Sequence, residues 1–242
     1  MGKKSINKID DKLRAGRFIE YLKGKIGAKS FQFLVDLSSF SEVLIFSGVL
    51  RNYFINYNGP LRDFDIVIDG DEFSIERFLT NVEHTRNSFG GYKIVVDSLK
   101  IDIWHIERTW AYTNKKVELQ LFKEYNLPNT AFFNFSSVVF DFNNMRFIYS
   151  SSFESFLETK EIDLVLEENP MPQLCIVNTI YYMSKFHLNI SKRLKKYIIE
   201  HFNQYTEEDY CNVQIKHFSQ VKFPYPYLRE YFNIFKKDII AS

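Results

Sequence analysis

Two stretches decide how this chain folds: Ser47-Gly48-Val49-Leu50-Arg51 and, after a turn at Asn58-Gly59-Pro60, Leu61-Arg62-Asp63-Phe64-Asp65-Ile66-Val67-Ile68. In the second stretch, Asp63 and Asp65 alternate with apolar residues. Successive side chains of a strand point to opposite faces, so both carboxylates are expected on one face. The pattern predicts a strand with two paired acids, and such a pair can hold a divalent metal ion.

The flanking segments extend this strand into a sheet. The apolar run Val43–Phe46 predicts a strand that stops at Ser47-Gly48, after which a helix can start at Val49. Farther on, Asp97-Ser98 is a hairpin turn that joins a strand over residues 92–96 to an apolar strand over residues 99–106. This last strand carries one acid, Asp102.

The remaining periodicities predict helices on either side of the strands. Spacing of apolar residues favours a leading helix over residues 6–26 that ends near Gly24 and Gly27. After residue 154 the pattern is mainly helical. The other predicted elements are a helix over 72–82, β-like pieces over 117–122 and 137–149 with a turn at Asn143-Asn144, and helices over 173–186, 192–202 and 228–235.

Bulk composition excludes several classes of protein. The chain has 242 residues, 45% of them hydrophobic, which is ample for a core, and a net charge of +1. The low charge argues against a dedicated nucleic-acid binder. Cys175 and Cys211 lie far apart, which argues against a zinc site or a disulfide framework. Without a signal peptide or a long apolar run, the chain is predicted to be cytoplasmic.

Three acids suit the chemistry of nucleotidyl transfer. That reaction needs charge neutralisation at the α-phosphate and an activated hydroxyl. Two divalent ions held by the three carboxylates would meet both requirements. Asp63 and Asp65 would bind both ions, and Asp102 would complete one of them and act as general base. Hard oxygen ligands favour Mg²⁺, with Mn²⁺ as its substitute. The alternative is that the paired acids are a solvated strand face.

The joint pattern of Ser47-Gly48, Arg51, Asp63-Phe64-Asp65-Ile66-Val67 and the lone Asp102 resembles the polymerase-β-like nucleotidyltransferases, and among them the poly(A) polymerase and CCA-adding type most. The resemblance implies an α+β fold. Residues 1–167 would form a nucleotidyltransferase head, which consists of a mixed sheet with flanking helices and includes the leading helix. A small helical C-terminal region would span residues 168–242.

The resemblance also implies roles for residues outside the carboxylate trio. The Ser47 and Gly48 backbone would cradle the β- and γ-phosphates, and Arg51 would support the site or the triphosphate. Asn134, in Thr130-Ala131-Phe132-Phe133-Asn134, matches the asparagine of a CCA-adding motif. The arginine positions of the neck helix fall on Cys175, Asn178, Tyr181 and Lys185, of which only Lys185 is positively charged.

The expected function is metal-dependent transfer of a nucleoside monophosphate from an NTP or dNTP to a hydroxyl, with release of pyrophosphate. The residues after the head leave little room for tRNA-clasping domains, so the favoured product is a short oligonucleotide or nucleotide signal in bacterial stress or phage defence. A partner protein encoded nearby is also expected. The alternatives are nucleotidylation of a protein or small molecule, as by toxins or antibiotic-modifying enzymes, and a catalytically idle nucleotide-binding module.

Overall fold

The computed structural model describes residues 8–46, 48–61, 63–86, 90–118 and 123–241, with side chains from residue 12 onward. It divides into two compact units. The first ends at Ala131 and adds Ser136–Ser150, and the second consists of Phe132–Phe135 and the chain from Ser151 onward. The domain boundary after residue 167 stays a prediction.

The first unit is built around a sheet. Its elements in chain order are α1 (Lys8–Leu37), β1 (Glu42–Phe46), α2 (Gly48–Phe54), β2 (Phe64–Asp69), α3 (Glu72–Leu79), β3 (His84–Arg86), β4 (Tyr92–Val96), β5 (Leu99–His105), α4 (Trp110–Thr113), α5 (Lys123–Asn126), β6 (Val138–Asp141) and β7 (Arg146–Tyr149). Short 3-10 turns cover Ile106–Arg108 and Leu127–Thr130.

In the described part of the chain, the sheet has seven strands in the order β3-β4-β5-β2-β1-β6-β7. Only the pair β2 and β5 is parallel, and the other neighbours are antiparallel. Strand β2, which carries Asp65 and begins directly after Asp63, therefore lies at the centre of a mixed sheet. This confirms the predicted mixed sheet with flanking helices, and both predicted hairpins, β4–β5 and β6–β7, are present.

The leading helix is longer than predicted. Gly27 has φ 80° and ψ 164°, a left-handed conformation that glycine adopts without a Cβ clash, and the helix resumes beyond it to Leu37. Phe33, Leu34 and Leu37 are all buried, so this added segment has its own apolar face. The sequence analysis treated Gly27 as an end, whereas the structure uses it as a break between two helical segments.

Other differences lie at the edges of the sheet. The short outer strand β3 was not predicted, because its three residues are all exposed and carry no apolar alternation. In the β-like piece over 117–122, residues 117 and 118 are not in a strand. The other four residues of that piece lie outside the described residues.

The second unit is largely helical, as predicted. Its elements are α6 (Ser151–Thr159), β8 (Glu161–Ile162), α7 (Pro172–Phe186), β9 (Asn189–Ile190), α8 (Lys192–His201), α9 (Glu207–Phe218) and α10 (Tyr225–Ile240). Strands β8 and β9 form a two-residue parallel pair. Within the described ranges, no helix is both long and apolar enough to cross a membrane.

Candidate functional site

Asp65 and Asp102 lie side by side on neighbouring strands. In the parallel pair β2–β5, Asp65 is directly opposite Asp102. Adjacent strands are about 4.8 Å apart, and opposite residues project from the same face. The alternate residues of both strands, such as Ile66 and Ile103, are buried on the other face. The fold thus brings together two acids that are well separated in sequence.

Asp63 lies immediately before β2, two positions ahead of Asp65. Together with Asp102 it lines an open pocket of about 480 Å³ at the β3–β5 side of the sheet. Asp63 and Asp102 therefore share this pocket, whereas Asp65 lies opposite Asp102 and is not among the residues that line it.

Lys93 is a site residue that the sequence analysis missed. On β4 it lies directly opposite Asp102, and its Nζ is 2.9 Å from Asp102 Oδ1. The Asp102 side chain is only 18% exposed, whereas that of Lys93 is 55% exposed. A signal was available in the sequence, because a two-residue turn at Asp97-Ser98 fixes the hairpin register and so places Lys93 opposite Asp102.

The same register continues across the whole sheet and divides one face into a polar and an apolar half. Val139 and Ile148 of this face belong to a buried hydrophobic cluster, against which the half-buried Phe46 packs. In this row the acids lie in the other half, although Val67, two residues after Asp65 on the same face, also belongs to the cluster. The cross-strand row runs through Thr85, Lys93, Asp102, Asp65, Phe46, Val139 and Ile148.

The donor set suits a hard divalent cation, because every oxygen comes from a carboxylate. In the part of the chain that the structure describes, no three His, Cys, Asp or Glu side chains converge as a metal-binding group. Asp102 instead contacts the Lys93 ammonium. Mg²⁺ in nucleotide sites is commonly held by one or two carboxylates together with phosphate oxygens and water, so Asp65 and its neighbours fit such an ion.

The end of β1 lies next to Asp65. Phe46 lies opposite Asp65, and α2 begins two residues later at Gly48. Arg51 donates from Nε and Nη2 to Asn52 Oδ1, at 3.3 and 3.2 Å. Its Nη2 would lie 3.6 Å from a Cβ placed on Gly48, so the guanidinium lies against the first residue of the helix. Ser47, the remaining predicted phosphate contact, lies outside the described residues.

Asn134, Tyr181 and Lys185 belong to the second unit. Asn134 is 3% exposed, donates from Nδ2 to the Glu161 carbonyl at 2.9 Å and accepts from the Asp163 amide at 3.0 Å. Its amide therefore ties two backbone segments together.

Tyr181 and Lys185 are neighbours on α7. The Lys185 Nζ lies 5.2 Å from the centre of the Tyr181 ring, within range of a cation–π contact. Lys222 Nζ lies 4.6 Å from the same ring. Contact of Tyr181, Lys185 and Asn134 with a nucleotide stays a prediction.

His105 follows Asp102 on β5 but faces the opposite side of the sheet. Burial lowers the pKa of His105. The nearby Glu72 carboxylate opposes this shift, and the guanidinium groups of Arg108 and Arg86 add to it. In the portion that the structure describes, its Nε2 is buried without a hydrogen-bond partner. His105 therefore has a structural place in the core.

The lowered pKa of His105 predicts a pH-dependent stability. Because the unfolded chain binds this proton more readily, the free energy of unfolding should fall as pH drops below about 6.5, by at most about 1.4 kcal/mol per pH unit from this residue. Urea denaturation at pH 7.5, 6.5 and 5.5 measures it. His105→Leu should reduce the change of the free energy of unfolding with pH. His84→Gln, a substitution of an exposed histidine, should leave that change as it is. An unchanged slope in His105→Leu would contradict the assignment.

No protein-family model matches the sequence, and no curated protein is significantly similar to it. Several solved structures share its fold. One is a CCA-adding enzyme in complex with CTP, with a TM-score of 0.64 and 14% identity over 91% of this chain and 55% of the other. Another is the Thermotoga maritima CCA-adding enzyme complexed with tRNA, with a TM-score of 0.61 and 17% identity over 93% and 54%.

A tRNA nucleotidyltransferase complexed with a primer tRNA and an incoming ATP analog is similar with a TM-score of 0.58 and 16% identity, over 86% of this chain and 61% of the other. The chain spans little more than half the length of these structures. The predicted resemblance is confirmed in the fold, which this chain shares with the CCA-adding enzymes.

Proposed function

We propose that the chain is a nucleotidyltransferase that moves a nucleoside monophosphate from an NTP or dNTP to a hydroxyl group. The observation that carries the proposal is the register of β2 and β5, which sets Asp65 directly opposite Asp102 with Asp63 two residues before it. Nucleotidyl transfer requires anionic ligands for divalent ions, and the chain has the fold of CCA-adding enzymes, so this register supports the proposal.

The reaction makes one bond and breaks one. The acceptor hydroxyl oxygen attacks the α-phosphorus, the bond from that phosphorus to the bridging β-phosphate oxygen breaks, and pyrophosphate leaves. We assign Asp102 to accept the hydroxyl proton. Bound Mg²⁺, or Mn²⁺ in its place, would neutralise charge on the α-phosphate and lower the pKa of the hydroxyl. Asp63, Asp65 and Asp102 are the residues that would hold it.

The donor triphosphate is assigned to the end of β1. Arg51 lies against Gly48 and provides a positive charge on the helix that follows Phe46, the residue opposite Asp65. Ser47, Gly48 and Arg51 would together contact the β- and γ-phosphates. Asn134, Tyr181 and Lys185 would contact the nucleotide.

For the acceptor we propose a nucleotide or short oligonucleotide. The similar structures include CCA-adding enzymes with CTP, ATP and tRNA, which supports an NTP donor and a nucleotide-bearing acceptor. We further propose that the product is a short oligonucleotide or nucleotide signal, made in the cytoplasm in bacterial stress or phage defence, where a partner protein encoded nearby would act with it. The head would span residues 1–167.

A product assay tests this function. The purified full chain is incubated with each α-³²P-labelled NTP or dNTP and Mg²⁺ or Mn²⁺, and products are separated by size. We expect pyrophosphate together with a labelled species that is longer than the substrate, and no product when EDTA is added. Label that stays on the protein would instead support nucleotidylation. If no nucleotide yields pyrophosphate with either ion, the chain is not a nucleotidyltransferase.

A further inference from the structure

The pocket beside the acids is built from the three strands at one edge of the sheet. Asp63 and Asp102 line it on one side, and Thr85, Lys93 and Lys100 line it from β3, β4 and β5. These last three side chains lie on the same sheet face as Asp102, since Thr85 is opposite Lys93 and Lys93 is opposite Asp102. The pocket thus leads directly to the proposed base.

Two lysines face this pocket next to Asp102. Lys100 lies two residues before Asp102 on the same face, roughly 7 Å along the strand. Lys93 lies opposite Asp102. Between the lysines, Val95 is paired with Lys100 and is 62% exposed, which leaves an apolar surface in the pocket. Among the described residues, no carboxylate forms an ion pair with Lys100.

The charge of the pocket depends on what Asp102 binds. At present its carboxylate neutralises Lys93. A divalent cation on Asp63 and Asp102 would compete with the ammonium for the same oxygens and would release Lys93 into the pocket. Two lysines would then face a single remaining acid, Glu83, so the pocket would favour an anion when the acids are occupied.

The size of the pocket limits that anion. About 480 Å³ lies within the range of small-molecule sites and suits one nucleotide unit, with a phosphate on the lysines and an apolar contact on Val95. From these observations we propose that the pocket binds the acceptor as a single nucleotide unit, its phosphate held by Lys93 and Lys100 and its hydroxyl facing Asp102. The assignment of Asp102 as base rests on the proposed function.

Binding of nucleoside monophosphates tests the proposal without turnover. The four ribonucleoside 5′-monophosphates and the matching nucleosides are titrated by calorimetry into the full chain with Mg²⁺ and saturating α,β-methylene-ATP, which occupies the donor site. We expect one or more monophosphates to bind at least about tenfold more tightly than the nucleoside. Lys93→Ala and Lys100→Ala should each reduce that preference by about tenfold and leave nucleoside affinity within twofold.

Lys29→Ala is the matched control, because Lys29 is an exposed lysine of the same unit that pairs with Asp97 at the hairpin turn. Lys29→Ala should leave the affinities for the monophosphates and the nucleosides unchanged. Equal affinity for monophosphate and nucleoside, or lysine variants that behave like Lys29→Ala, would overturn the pocket assignment. So would an equal loss of α,β-methylene-ATP affinity, since the lysines would then belong to the donor site. Lysine-dependent binding without pyrophosphate formation would support the anion pocket and contradict the transferase function.

Discussion

Asp65→Asn is expected to abolish nucleotidyl transfer, with a loss of at least about 10³-fold in kcat. The amide keeps the shape of the carboxylate but removes the negative charge that would face the metal ion and Asp102 across the β2–β5 pair. A loss of this size corresponds to about 4 kcal/mol of transition-state stabilisation, which is typical of a charged group that acts directly on the reacting phosphate. Initial rates of pyrophosphate release measure it.

Asp97→Asn provides the control for this substitution. Asp97 belongs to the turn between β4 and β5 and has φ 51°, a conformation that asparagine tolerates well. Its carboxylate is exposed and pairs with Lys29, far along the hairpin from Asp102. Activity should stay within about twofold. An Asp65→Asn protein with parental kcat would remove Asp65 from the site and would favour the view that the acids are a solvated strand face.

How far the site could be predicted depends on which contacts are local. The spacing of Asp63 and Asp65 sufficed to place them on one face, whereas Asp102 lies beside Asp65 through the β2–β5 register, which joins segments far apart in sequence. The turn at Asp97-Ser98 fixed Lys93 opposite Asp102, although the sequence analysis did not use that register. The acids were predicted as metal ligands, and no cationic partner was predicted for Asp102.

The order of the strands is a different kind of information. β1 lies between β2 and β6, and its neighbours come from segments separated by most of the first unit. Pairing of this kind depends on side chains that meet only after folding, so period-2 alternation predicts each strand but not its partners. The family resemblance provided the architecture that alternation alone could not. The resumption of α1 after Gly27 was missed because a glycine commonly marks the end of a helix.

Phe18 joins the leading helix to strands that are far away in sequence. It is fully buried, and its ring lies 4.7 Å from that of Phe140 and 5.4 Å from that of Phe147, measured between centroids. Phe140 is opposite Ile45, which in turn is opposite Ile66, on the face turned away from the acids. Residue 18 therefore contributes to the core behind the site and does not contact the site itself.

Phe18→Ala should accordingly lower the free energy of unfolding by about 3–5 kcal/mol, because it leaves a cavity among aromatic rings that cannot close around a methyl group. Urea denaturation at pH 7.5 measures the loss. Leu13→Ala, on the same helix but 57% exposed, should cost no more than about 0.5 kcal/mol. Well below its unfolding midpoint, Phe18→Ala should keep the parental kcat per folded molecule, since the acids project from the other face. Equal losses in the two variants would show that α1 does not pack on the sheet through Phe18.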